Sequence, residues 1–337
     1  MIQQNNQLHI AWTAFQRRQV SMESHVGFQC VFMPMTTKGG VTKALTYIKH
    51  FFSTLRIFLQ RKPDTVWVQL PQVPLLWAAL LFRAVFNRDV RVVADCHNAM
   101  FRPPWSKFPF AMWSLKQADV ILVHNQEMLN QALKHGLPED KVCVLEDVPP
   151  VGREGTSSSL ARSLISAVEP WIVFPGSFAA DEPIQEVMEA ARLLPDYTFI
   201  VTGRLANATK YGHSLEGSPP NFITPGFLDL DVFDDLLREA NVVMGLTKVE
   251  GIQLSVCNEA LGFGKPLVTS NTDILRQMFG KAAVLVETSD PQSIADGCRK
   301  AYLDRIELAE MARDLAVHRL SDWKHGQLTR VLEFLKL

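Results

Sequence analysis

The chain has 337 residues, of which 47% are hydrophobic and 20% charged, and its formal net charge is -1. These values fit about two globular domains with large cores. A near-neutral balance without a basic tail gives no ground for a nucleic-acid partner.

The five cysteines (Cys30, Cys96, Cys143, Cys257, Cys298) show no paired spacing. That pattern predicts a reducing cytosol and no structural zinc. The opening M-I-Q-Q-N-N-Q-L-H-I lacks the basic and apolar regions of a signal peptide, so a cytoplasmic protein is expected.

Strand-like and helical patterns alternate along the first half. L-H-I-A-W-T-A reads as a strand, followed by a polar loop that carries F-Q-R-R-Q (15–19). Arg17 and Arg18, adjacent on a strand-to-helix loop, suit a phosphate. K-G-G-V-T-K (38–43) is a glycine loop, with Gly39 and Gly40, that opens a helix at Val41, but it lacks full phosphate-loop spacing. T-V-W-V-Q-L is a strand followed by a helix from Pro74. Its apolar run, 73–86, contains Arg83 and is shorter than the roughly 20 residues a membrane span needs, so it reads as a buried helix.

V-R-V-V-A-D is the next strand, and Asp95 and His97 follow at its end. A carboxylate two residues from an imidazole can orient it, act as a base or hold a sugar hydroxyl. V-I-L-V-H-N, a helix stopped by Gly136, and V-C-V-L-E-D complete the block.

Residues 149–168 read as a linker. A second alternating block follows: W-I-V-F-P-G-S, a helix over 183–194, Y-T-F-I-V-T-G-R, N-F-I-T-P-G-F, the helix V-F-D-D-L-L-R-E-A and V-V-M-G-L. D-L-D (229–231) reads as a helix cap. The whole is α/β, with two doubly wound parallel-sheet domains hinged across a ligand cleft.

E-G-I-Q-L-S-V-C-N-E-A-L-G-F-G-K-P (250–266) carries the most chemistry. A strand enters a small polar loop containing Gly251, and a helix opens near Ser255 and carries Glu259. A helix N-terminus at the carboxyl end of a strand favours a phosphate. A carboxylate one turn further in can reach hydroxyls beside it, as a ribose would require. Phosphate plus ribose means a nucleotide.

This stretch and its flanks, 171–305, resemble the GT-B glycosyltransferases of the family-four (group 1) type. The resemblance implies two Rossmann-like domains facing across a cleft. It assigns 1–150 to the acceptor, 151–168 to the linker, 169–315 to the nucleotide sugar and 316–337 to a C-terminal helix that packs back on the first domain. By matching position Glu259 holds the ribose, the loop amides hold the diphosphate, and Glu250 orients the donor sugar. Nine positions separate the two glutamates where the family has eight.

P-G-S-F-A-A-D-E-P-I has Ser177 and no nearby lysine where the family carries a basic pair. The missing charge then falls to Lys248 or Arg204. The S-x(3)-D-E-P pattern, Q-L-P-Q-V-P and D-C-H-N are similar to the lipid-linked chitobiose mannosyltransferases.

The resemblance implies a UDP- or GDP-sugar donor, a lipid-linked saccharide acceptor, no cofactor and no metal. It places the work at the inner face of the plasma membrane. Residues 101–116 interleave Trp105, Phe108, Phe110 and Trp113 with Arg102, Lys107 and Lys116, which suits a lipid surface. The similar mixture at 50–63 reads as core. Two other readings stay open: a GT-B-fold sugar-nucleotide epimerase, and a non-catalytic partner subunit that keeps the fold. Retention and inversion at the sugar carbon are both open, the second needing a base such as Asp95.

Overall fold

The computed structural model describes residues 6–36, 39–148 and 160–335. Lys38 of the glycine loop and residues 151–159 of the expected linker lie outside them. The chain divides into two compact units: Met1–Val148 with Ser321–Leu337, and Pro149–Leu320.

The first unit runs β1 (Gln7–Ala11), α1 (Arg17–Val26), β2 (Gln29–Phe32), α2 (Gly40–Arg61), β3 (Thr65–Leu70), α3 (Val73–Val85), β4 (Arg91–Cys96), α4 (Ala111–Gln117), β5 (Val120–Val123), α5 (Gln126–Lys134) and β6 (Val142–Val144). The strands form one parallel sheet in the order β2-β1-β3-β4-β5-β6. Helices cover such a sheet, so its strands are apolar on both faces. T-V-W-V-Q-L of β3 is accordingly buried along its whole length.

Local signals set the helix ends. The Asn125 side chain accepts from the Met128 amide at 2.9 Å and opens α5. Just past that helix, Gly136 takes a positive φ of 71°.

The second unit runs α6 (Leu160–Leu164), β7 (Trp171–Pro175), α7 (Ile184–Leu193), β8 (Thr198–Thr202), α8 (Leu205–Tyr211), β9 (Phe222–Gly226), α9 (Leu230–Glu239), β10 (Val242–Gly245), α10 (Ser255–Gly262), β11 (Leu267–Ser270), α11 (Asp273–Phe279), β12 (Ala283–Val286), α12 (Pro291–Leu303) and α13 (Arg305–Asp322). Its parallel sheet has the order β12-β11-β10-β7-β8-β9. Counted from β7, this is the 3-2-1-4-5-6 order of dinucleotide-binding sheets. Residues beyond α13 return to the first unit and end in α14 (Thr329–Leu335). There the Trp323 indole donates to the Glu146 carbonyl at 3.0 Å, and the Glu146 amide donates to Gln327 Oε1 at 2.8 Å.

Three expectations change in detail, and one strand is added. F-Q-C-V-F-M, which carries no prediction above, supplies the edge strand β2. Arg17 and Arg18 sit in the first turn of α1, not on the preceding loop. Asp95 lies inside β4 because the strand runs on to Cys96. Asp229 stands at the N-cap of α9, but its side chain makes no cap bond.

The apolar run at 73–86 is α3, which buries Val73, Leu75, Leu76, Ala78, Ala79 and Phe82. Among the described residues no helix is long and apolar enough to cross a membrane.

Candidate functional site

Ligands of doubly wound sheets bind beyond the carboxyl ends of the strands, where the strand order reverses. In the second sheet that point lies between β7 and β10. The loops after these two strands are tied together. The Thr247 hydroxyl donates to Asp181 Oδ2 at 2.7 Å, and the Lys248 amide donates to the Asp181 carbonyl at 2.8 Å.

Helix α10 starts from the same place. A Cβ on Gly245 would lie 2.7 Å from both Cys257 Sγ and Val256 Cγ1. Glycine is therefore what lets the first turn of α10 sit against the end of β10. Gly245→Ala forces that turn outward, and a loss of about 1–3 kcal/mol is expected. Thermal melts will read it; an unchanged melting temperature would show that the helix gives way freely.

Leu254, at the N-cap of α10, contributes no side-chain cap bond. The positive end of the helix thus faces the loop without a capping side chain. Glu259 is one turn in and only 8% exposed. Beside it Asn258 is 2% exposed, and neither amide atom finds a hydrogen-bond partner. Nothing in the sequence singled out Asn258. Gly251 takes a φ of 73°, which the turn before the helix needs.

The other predicted residues gather at this end of the sheet, each with a duty of its own. Glu250 Oε2 accepts the Asp273 amide at 3.1 Å, at the start of α11. Lys248 Nζ pairs with Glu186 Oε1 at 2.6 Å. The Arg204 guanidinium stacks 4.7 Å from the Phe227 ring centroid.

Ser177 is wrapped around Glu182. Its amide and hydroxyl both donate to that carboxylate, at 2.9 and 2.8 Å to Oε1, and the Ala179 amide donates to Oε2 at 3.2 Å. Burial raises the Glu182 pKa, and the bonds from Ser177 oppose the rise. Where the sequence led us to look for a cation, the loop folds around an acid. The signal was present in D-E-P, whose glutamate lies five residues after Ser177.

In the first sheet the order reverses between β1 and β3. His97 lies beyond the end of β4, beside this point. Its Nε2 is 2.8 Å from Gln69 Nε2 and 3.4 Å from Gln16 Nε2. The His124 ring stands edge-on with centroids 4.5 Å apart. Burial, followed by the charge of His124, lowers the His97 pKa to about 3.

Asp95 is 0% exposed. Arg18 donates to it through Nη2 at 3.2 Å and Nε at 3.4 Å, and Gln19 Nε2 donates at 3.1 Å. His9 and His124 each bring Nε2 to 3.5 Å. The far side of Arg18 donates to Asp147 at 2.5 Å and to the Leu145 carbonyl at 2.8 Å. Burial alone would raise the Asp95 pKa. The Arg18 charge, together with the hydrogen bonds of His124 and His9, outweighs burial and holds the carboxyl well below the usual range. Asp95 is therefore a sealed anion, and any influence it has passes through Arg18 and the histidines. Arg18 is turned inward to these carboxylates. Asp147 and His124 were missed, although both follow strand ends, in V-C-V-L-E-D and V-I-L-V-H-N.

The histidines set a pH dependence. His9 and His97 have lowered folded pKa values, whereas an unfolded imidazole titrates near 6.5. Below about pH 6.5 the unfolded chain binds more protons, so stability falls as pH drops, by up to about 1.4 kcal/mol per pH unit for each imidazole. The depressed Asp95 and Asp147 keep their contributions until the pH falls below about 4. A melting temperature that declines from pH 7 to pH 5, with a shallower slope in His97→Gln, is the expected result. Equal slopes would remove His97 from this account.

Among the described residues no group of three or more His, Cys, Asp or Glu side chains is placed to hold a metal ion.

Two parallel sheets of reversed order, matched over nearly the whole chain by the solved glycosyltransferase structures below, place the fold in the GT-B class. The glycosyl transferases group 1 family matches residues 169–304, and the glycosyl transferase 4-like domain matches residues 11–147. The chain thus belongs to the glycosyltransferases built from this pair of domains.

Solved structures of similar fold include sucrose-phosphate synthase from Thermosynechococcus elongatus (TM-score 0.70, 12% identity, 98% of each chain covered). Anabaena Alr3699/HepE in complex with UDP-glucose is also similar (0.69, 13%, 98% of this chain and 100% of that one). A glycosyltransferase from Rickettsia africae ESF-5 follows (0.66, 12%, 98% and 99%). At these identities the likeness concerns the fold alone. A search of curated protein sequences finds no match.

Proposed function

We propose that this glycosyltransferase moves a sugar from a UDP- or GDP-sugar to a lipid-linked saccharide, in assembly of a surface polysaccharide or glycolipid. The observation that carries the donor half is the start of α10, without a side-chain cap at a reversal of strand order, with Glu259 buried one turn in.

In this reading the first-turn amides of α10, with Ser255 and Gly251, hold the diphosphate. Glu259 accepts from the ribose hydroxyls. Lys248, released from Glu186, supplies positive charge to the leaving diphosphate, with Arg204 as a second source. His97 offers a ring nitrogen to a sugar hydroxyl and, with its lowered pKa, is no proton donor of the imidazolium kind. Asp95 is a positioning residue behind it. Glu250, bound to the Asp273 amide, holds the loop and faces the sugar only if that bond is exchanged. Arg17 serves the phosphate or acceptor in this reading, and Arg18 is committed to Asp95 and Asp147. No cofactor or metal enters this scheme.

The acceptor half rests on the aromatic-basic segment 101–116. There Phe110 and Trp113 are exposed while Phe101 is buried, so a peripheral contact at the inner face of the plasma membrane fits.

Thermal-shift and donor-hydrolysis assays over UDP-, GDP- and ADP-sugars test the reading. Stabilisation by one nucleotide sugar, with slow release of its sugar, is expected. No binding to any of them sinks it; binding without turnover in the presence of lipid-linked acceptors leaves a partner subunit. The anomeric form of the product then separates retention from inversion. Since Asp95 is sealed by Arg18, retention is expected.

A further inference from the structure

Helix α2 has two apolar faces. One, with Leu55 and Phe58, enters the core of the first unit alongside His50 and Thr54. The other consists of Val41, Leu45, Ile48, Phe52 and Leu59, at steps of four, three, four and seven, which is one side of a helix. These five side chains are 43% to 77% exposed. The expectation that residues 50–63 are core therefore holds for one side of the helix only.

The charges around this second face are of one sign. From Ser24 to Pro63 the chain has no Asp or Glu, and α2 and its end carry Lys43, Lys49, Arg56, Arg61 and Lys62. On the helix wheel Lys49 and Arg56 border the apolar stripe. α3 packs on α2 and exposes Leu81 and Val85, and α4 packs on α3 with Trp113 exposed and Phe110 at its start. Trp77, Leu80, Ala84, Phe110 and Trp113 line a groove of about 520 Å³ between α3 and α4.

We propose that α2 lies in the headgroup plane of an anionic lipid bilayer and docks the first unit there, with α3 and α4 at the margin. An apolar stripe bordered by Lys49 and Arg56, on a helix that carries no acid, matches a surface that is apolar beneath and negative above. A second copy of the chain is a poor occupant, because pairing the two stripes would bring like charges together. The docking needs neither the donor nor the acceptor, so it stands or falls apart from the reaction assigned above.

The test is co-sedimentation of the full chain with vesicles of phosphatidylcholine alone or with added phosphatidylglycerol, without nucleotide. The expected result is binding to the anionic vesicles that weakens with salt, and little binding to the neutral ones. L45S/F52S and K49Q/R56Q are each expected to lower the partition coefficient roughly 20-fold. Both pairs are exposed, so circular dichroism and melting should match the parent. Absence of binding by the parent chain overturns the proposal, and so does unchanged binding by folded L45S/F52S. A parent dimer that L45S/F52S converts to monomer, read by light scattering, would assign the stripe to a second copy instead.

Discussion

Replacing Arg18 with methionine is expected to cost about 3–5 kcal/mol, the usual range when one partner of a buried ion pair is removed. Arg18 lies between two carboxylates, and Asp95 is fully buried. Without the guanidinium, Asp95 is left with Gln19, His9 and His124, and burial keeps His9 from charging at neutral pH. Asp95→Asn should cost less, because Arg18 keeps Asp147 and the Leu145 carbonyl.

The two variants differ again in acid. In the parent, the depressed Asp95 pKa means that its stabilisation is lost as pH falls through the folded value. In Arg18→Met, burial raises the Asp95 pKa, so protonation in acid relieves the strain. The gap between parent and variant should therefore close as pH falls from 7 toward 4. Six of the seven tryptophans are in the first unit, so urea unfolding followed by their fluorescence reports on it. A loss below about 1 kcal/mol, or a gap that widens in acid, would show that the cluster is not held by Arg18.

That cluster marks where sequence reading stops. The alternation of apolar strands and helices is a local pattern, and from it the two-domain α/β class and the bounds of α10 were legible. Arg18, Asp95 and Asp147 are brought together by strand pairing over separations of 77 and 129 residues. Nothing local to F-Q-R-R-Q says which arginine turns inward. The same limit applies to Ser177, where the absence of a lysine was visible and the presence of Glu182 inside the loop was not interpreted. β2 was missed for another reason. It is a short edge strand, four residues long and half-buried, so its apolar signal is weak. Helix α2 shows the reverse problem: its apolar residues are plain, but which of its two apolar faces meets the core depends on packing.

Glu259→Gln is expected to weaken nucleotide-sugar binding by about 10- to 150-fold, the loss of one or two hydrogen bonds to a charged acceptor (about 1.5–3 kcal/mol). The substitution keeps the shape of the side chain within an apolar helix of small residues. Cys257, Ala260 and Leu261 around it are buried against the sheet, so the fold should survive. A carboxylate accepts from two vicinal hydroxyls at once, whereas an amide turns one of its two ends into a donor. The discrimination should therefore depend on the ribose. The parent should prefer a ribonucleoside diphosphate to its 2′-deoxy analogue, and Glu259→Gln should lose most of that preference. Titration calorimetry with the pair of nucleotides measures both effects in one series. If the variant keeps the parent's ratio between them, Glu259 does not face the ribose, and the amides at the start of α10 would have to be holding a ligand of some other kind.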